Sequence, residues 1–105
     1  MADEEKLEIT EKTIGDINKF YAKGRIDSNS AGTLQETLDK AIEEGKKNII
    51  LNMLQVEYLS SIGIRAMLKT YKQAENLGGS FKIESPSEIV KNVLGMVALN
   101  QLLIA

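Results

Sequence analysis

The chain has 105 residues, 43% apolar and 27% charged, with a net charge of −2 at neutral pH. That length suits one domain with a core of its own, and with 5% aromatics and no Trp the core must be mostly aliphatic. Cysteine and histidine are both absent, which excludes disulfides, thiolate nucleophiles and thiolate or imidazole metal ligands, and removes the commonest general base.

The start, Met1-Ala2-Asp3-Glu4-Glu5-Lys6, is charged and lacks the apolar stretch of a signal peptide. No apolar run approaches the roughly 20 residues of a membrane-spanning helix. A cytoplasmic protein with no membrane span is expected. The sequence shows no clustered basic footprint of a nucleic-acid binder, and Lys46-Lys47 is too short to be one.

Residues 1–6 are expected to fray. Lys6 to Lys12 alternates, with Leu7 and Ile9 facing one way and Glu8 and Thr10 the other, as in a half-buried strand. Ile14-Gly15-Asp16 reads as a turn and Ile17 to Ile26 as a second strand, which predicts a hairpin. Asp27-Ser28-Asn29-Ser30 offers several helix-capping side chains. Ala31, Leu34, Leu38, Ala41 and Ile42 then recur at helical spacing, and Gly45 ends that helix. Asn48 to Leu54 is a nearly continuous apolar run between two helices, the pattern of a strand covered on both faces.

After Ser60-Ser61-Ile62-Gly63, a second helix turns Ile64, Met67, Leu68, Tyr71 and Ala74 inward until Gly78-Gly79. Ser80 to Glu84 is a further strand. Ser85-Pro86-Ser87-Glu88 predicts a capping box, with Ser85 as cap and Pro86 at the first helical position. Ile89, Val90, Val93, Leu94 and Val97 form the apolar stripe of that helix. Residues 99–105 are apolar enough to begin one more strand or short helix. The order β-β-α-β-α-β-α predicts an α/β fold over residues 1–105: one domain, a mixed sheet with mostly parallel central strands, and helices packed on it.

Ser60 and Ser61 stand where a strand meets a helix N-terminus, where unpaired N–H groups and the helix dipole favour an anion. Taken as residues alone, they are ordinary helix caps. On the same terms Asp27 is a cap or turn residue, Gly63 allows a close backbone approach, and Arg65 is a solvated helical arginine. The chain has no Gly-rich nucleotide loop, catalytic triad or metal-ligand cluster. A non-enzymatic protein without cofactor or metal is expected.

Three segments go further. They are Gly24-Arg25-Ile26-Asp27; the block from Ile49 to Lys72 centred on Tyr58-Leu59-Ser60-Ser61-Ile62-Gly63-Ile64; and Gly78-Gly79-Ser80-Phe81 through Pro86-Ser87-Glu88 to Val93-Leu94. In this order and spacing the chain resembles the STAS domain family, shared by sulfate transporters and bacterial anti-sigma factor antagonists. The resemblance implies a STAS-like fold and a phosphoacceptor serine two residues before the motif glycine. That serine is Ser61, with the adjoining Ser60 as the alternative. The family's usual aspartate before the acceptor is Ser60 here, and the usual small residue after it is Ile62.

The resemblance also implies a partner-switching cycle. The dephosphorylated antagonist binds an anti-sigma factor that is a serine kinase, and so frees a sigma factor. The kinase ends that binding by phosphorylating the antagonist, and a PP2C-type phosphatase resets it. Asp27, Ser60, Ser61, Ile62, Gly63 and Arg65 are the partner-binding residues implied, on a protein more expected as a monomer than as an oligomer. The alternative is a STAS module that is never phosphorylated, serving constitutively as an accessory subunit, for instance of a lipid transporter, or binding a small ligand.

Overall fold

The hairpin forms as the alternation predicts. In the computed structural model, which describes residues 7–96, β1 (Glu8–Ile14) and β2 (Ile17–Ile26) pair antiparallel, with Ile14 opposite Ile17 across Gly15-Asp16. β2 pairs parallel with β3 (Asn48–Leu59), and β3 parallel with β4 (Ser80–Glu84). The result is a mixed four-stranded sheet in the order β1-β2-β3-β4. α1 (Ala31–Glu43) links β2 to β3, α2 (Ser61–Asn76) links β3 to β4, and α3 (Glu88–Met96) follows β4. The predicted element order is the observed one. The N-terminal residues 1–6, Val97 and the apolar end 99–105 lie outside the described residues.

Alternate strand residues build the core. Phe20, Ala22 and Ile26 of β2, Ile49, Leu51 and Met53 of β3, and Phe81 and Ile83 of β4 are buried together. Leu34, Leu38 and Ala41 of α1, Ile64, Met67 and Ala74 of α2, and Val90 and Leu94 of α3 close over them. Both long helices end as their glycines predict. Gly45 N–H donates to Ile42 O and Lys46 N–H to Ala41 O after α1; Gly78 N–H donates to Glu75 O and Gly79 N–H to Ala74 O after α2.

Three expectations need correction. First, β3 is not covered on both faces. Ile49, Leu51 and Met53 are buried, but Asn48, Ile50 and Asn52 on the other face are only half-buried. Ile50 and Leu54 made an alternating strand look continuously apolar.

Second, β3 runs on from Leu54 to Leu59. Two register shifts against β2, at Tyr21/Lys23 and at Gly24/Arg25, insert extra residues in β3. Inward spacing therefore stretches from two to three, through Met53, Val56 and Leu59. Gly24 at the second shift has φ 114°, a conformation open to glycine and costly for other residues.

Third, α3 begins later than the capping-box pattern predicts. Ser87 is its cap, its Oγ accepting the Val90 N–H at 3.3 Å, while Pro86 precedes the helix and Ser85 is left-handed at φ 50°. The Ser87 N–H donates to Met53 O at 3.2 Å, so this segment is tied to β3 before the helix starts. Ile89 then points outward, 43% exposed, and among the described residues the stripe is Val90, Val93 and Leu94.

Candidate functional site

The site is built where β2 and β3 end side by side. Ile26 pairs with Leu59, and the Ser60 N–H donates to Ile26 O at 2.8 Å. From there β2 leaves through Asp27–Ser30 into α1, while β3 passes directly into α2. The carboxyl ends of parallel strands are the usual place for function in α/β sheets.

The two adjacent serines have separate jobs. Ser60 is extended (φ −88°, ψ 167°), half-buried, and caps α2: its Oγ accepts the Gly63 N–H at 3.2 Å. Ser61 is the first helical residue, is exposed, and its hydroxyl makes no hydrogen bond among the described residues. Ser60→Ala should therefore cost about 1 kcal/mol, while Ser61→Ala should stay within about 0.5 kcal/mol of the parent. Urea denaturation of both variants measures this, and a larger loss at position 61 would reverse the assignment.

Gly63 sets the closeness of α2 to the strand ends. It is buried, and a Cβ there would lie 2.5 Å from Ile26 Cγ2 and 2.9 Å from Leu59 Cδ1. Ile62 (45% exposed) and Tyr58 (41%) leave apolar surface beside Ser61. Arg65 is exposed, four residues after Ser61 and so on the same face of α2. It forms no ion pair among the described residues.

Asp27 organises the neighbouring turn. Its Oδ1 accepts the backbone N–H groups of Asn29 and Ser30, each at 3.0 Å. The Asp27 N–H donates to Ser30 Oγ at 2.9 Å, and the Ser30 hydroxyl donates to Arg25 O. The Ser30 backbone N–H does most to hold this carboxyl below its usual range; burial, the next effect in size, opposes it, and the Asn29 N–H and the Arg25 charge add to the lowering. Ser30 occupies the α1 cap position but gives no side-chain bond to the helix, because its hydroxyl is engaged in this turn.

A depressed native pKa has a definite sign. The charged Asp27 stabilises the fold fully above the ordinary carboxylate pKa, and the contribution disappears as pH falls through the depressed value. Asp27→Asn should melt below the parent at pH 7, with the gap narrowing towards pH 3. Thermal melts across that range test it, and a gap independent of pH would exclude a charge effect.

Two residues outside the expected set complete the site. The Arg25 guanidinium lies 4.5 Å from the Tyr58 ring centre, and its Nε is 3.8 Å from Asp27 Oδ2. Both belong to motifs visible in the sequence, but their pairing depends on the register shift after Gly24. Among the described residues no group of three or more acidic side chains gathers to hold a metal ion. No described helix is long and apolar enough to cross a membrane.

The STAS domain family model matches residues 8–104. The anti-sigma-B factor antagonist of Bacillus subtilis (strain 168) is 30% identical over 80 residues, which is 76% of this chain and 72% of the relative. Among solved structures, the anti-sigma factor antagonist SpoIIAA in its unphosphorylated form aligns with a TM-score of 0.82 at 18% identity, over 92% of this chain and 86% of that one. A sulfate transporter family protein from Wolinella succinogenes aligns with a TM-score of 0.70 at 21% identity, over 86% of this chain and 73% of that one. These structural likenesses show a shared fold.

Proposed function

The chain belongs to the STAS domain family, and from that premise we propose that it is an anti-sigma factor antagonist whose grip on an anti-sigma serine kinase is switched by phosphorylation of Ser61. One observation carries this reading: the Ser61 hydroxyl is exposed and unbonded at the start of α2, while Ser60 does the capping.

A phosphate brings about −1.5 to −2 charges. At the first helical position it meets the positive end of the helix dipole, and Arg65 lies one turn away on the same face. The fold accommodates such a group, so the switch acts on the partner. A kinase surface matched to the exposed Ile62 and Tyr58 must desolvate the phosphate or withdraw. Ser60 is the weaker acceptor, because modification would consume the oxygen that holds the Gly63 N–H. In this reading the protein is no enzyme and needs no cofactor, and a PP2C-type phosphatase reverses the modification.

The constitutive STAS module is the second reading. It is favoured by Ser60 in place of the family's usual aspartate and by the fold shared with a sulfate transporter family protein. Intact-mass and site-mapping mass spectrometry of protein from its native cells, across growth and stress conditions, decides between them. A single phosphate on Ser61 whose occupancy changes with condition is expected. A phosphate on Ser60 moves the site, and none under any condition leaves the constitutive reading.

A further inference from the structure

Among the described residues, the side of the sheet turned away from the core carries no buried side chain. The outward residues of β2, β3 and β4 that alternate with the core are all half-buried or exposed. Charge collects here. Lys12, Lys19, Lys23, Arg25 and Lys82 share this face with three strand carboxylates, Glu8, Glu57 and Glu84, in a chain whose overall net charge is −2. Glu57 is the extra residue at the second register shift. The excess negative charge of the molecule therefore lies elsewhere.

Strand register places Lys12 opposite Lys19, Lys19 opposite Ile50, and Ile50 opposite Lys82, so three lysines occupy one cross-strand row. Like charges directly opposed weaken a sheet. Lys19 is drawn to Glu84 at 2.9 Å, and the other Glu84 oxygen accepts from Asn52 Nδ2 at 2.7 Å. Lys23 and Lys82 form no ion pair among the described residues. Register sets Lys23 across from Glu8 and Arg25 lies beside Asp27, which offsets part of the repulsion and leaves Lys12 and Lys82 without an acidic partner among the described residues.

We propose that this face of the sheet, centred on Lys19, Tyr21, Lys23 and Lys82, is a docking surface for an acidic segment of another protein. Charge complementarity sets the sign of the partner. Tyr21, Tyr58 and Arg25 add side chains favoured in protein interfaces. Two tyrosines are too few for the serial base stacking of single-stranded nucleic acid, and mixed charge on a flat sheet lacks the inserted apolar face of a membrane-surface helix. Through Arg25 and Tyr58 the surface reaches the strand ends beside Ser61, so a partner engaged there finds further contacts here. The inference stands without phosphorylation of Ser61.

The test is a titration of the isotope-labelled full chain with a deca-glutamate peptide, followed by amide shifts. The expected result is saturable shifts at Lys19, Tyr21, Ile50, Asn52 and Lys82, with α1 and α3 unmoved. Binding should weaken as salt rises from 50 to 200 mM, since exposed charges are screened within about 8 Å at physiological strength. The double variant Lys23→Glu/Lys82→Glu, with an unchanged circular dichroism spectrum and melting curve, should lose at least about tenfold in affinity, which is about 1.4 kcal/mol. If that variant unfolds, Lys82→Ala serves, with a smaller loss expected. Shifts spread over the helices, no shifts, or binding indifferent to charge reversal overturn the proposal. So do phosphatidylglycerol vesicles moving these amides where the peptide does not, or concentration-dependent shifts without peptide, which would assign the face to lipid or to a second copy.

Discussion

Gly63→Ala is expected to destabilise the protein by about 1–3 kcal/mol, the cost of overpacking a well-filled core. The added methyl meets Ile26 Cγ2 at 2.5 Å and Leu59 Cδ1 at 2.9 Å, and Ile26 is fully buried. Leu59 can yield by rotating its end, whereas the Ile26 methyl is fixed on a β-branched carbon. Alanine's better helix propensity, at most about 1 kcal/mol, offsets only part of this. Relief comes either by lifting the first turn of α2 off the strand ends or by displacing Ile26. Lifting moves Ser60 and Ser61 together. Ile26→Leu removes the offending methyl at a cost under about 1.5 kcal/mol, so the double variant should be more stable than the sum of the two single losses predicts. Urea denaturation of the four proteins measures that coupling, and simple additivity would mean that α2 does not rest on Ile26.

That contact explains why the site was only partly legible in the sequence. Ser61 two residues before Gly63 could be read directly, because a serine at a strand-to-helix junction has a physical meaning at any fold level. The difference between Ser60 and Ser61 could not be read, since both residues are plausible caps. It depends on which of them still has extended backbone when the helix begins, and the Ser60 N–H bond to Ile26 O fixes that from another strand.

The elements themselves followed the same division. β1, β2, α1 and α2 carry clean periods of two or of 3.6, and local pattern suffices for them. The second half of β3 has inward residues every third position because two register shifts interrupt the alternation. No local window reports a shift that exists only relative to β2. The start of α3 failed for a similar reason: Ser85 and Ser87 are equally good caps in isolation, and the long-range bond from Ser87 N–H to Met53 O selects the later one. The basic face was written in β2 as outward Lys19, Lys23 and Arg25, but Lys82 joins them only through the pairing of β3 with β4.

Charge at position 61 is expected to separate binding from stability. On the proposed function, Ser61→Ala should keep the fold and hold the anti-sigma kinase without release. Phosphorylated protein should bind it about 5- to 150-fold more weakly, the range of a coupling of roughly 1–3 kcal/mol. Ser61→Glu should move in the same direction by less, since a carboxylate carries only part of the phosphate charge. Stability should show the opposite sign: a negative group in the first turn of α2 gains about 0.3–1 kcal/mol from the helix dipole, and Arg65, four residues on, adds about 0.2–0.5 kcal/mol. Ser61→Glu should therefore melt at or above the parent, and Arg65→Ala should remove part of any gain. Calorimetric titration with the kinase and thermal melts of the same proteins read the two effects separately. Tight binding by both Ser61→Ala and the phosphorylated chain would sink a charge-based switch. Weakened binding with a lowered melting temperature would instead mean that the phosphate acts by loosening α2, with the partner sensing the loss of the helix start rather than the charge.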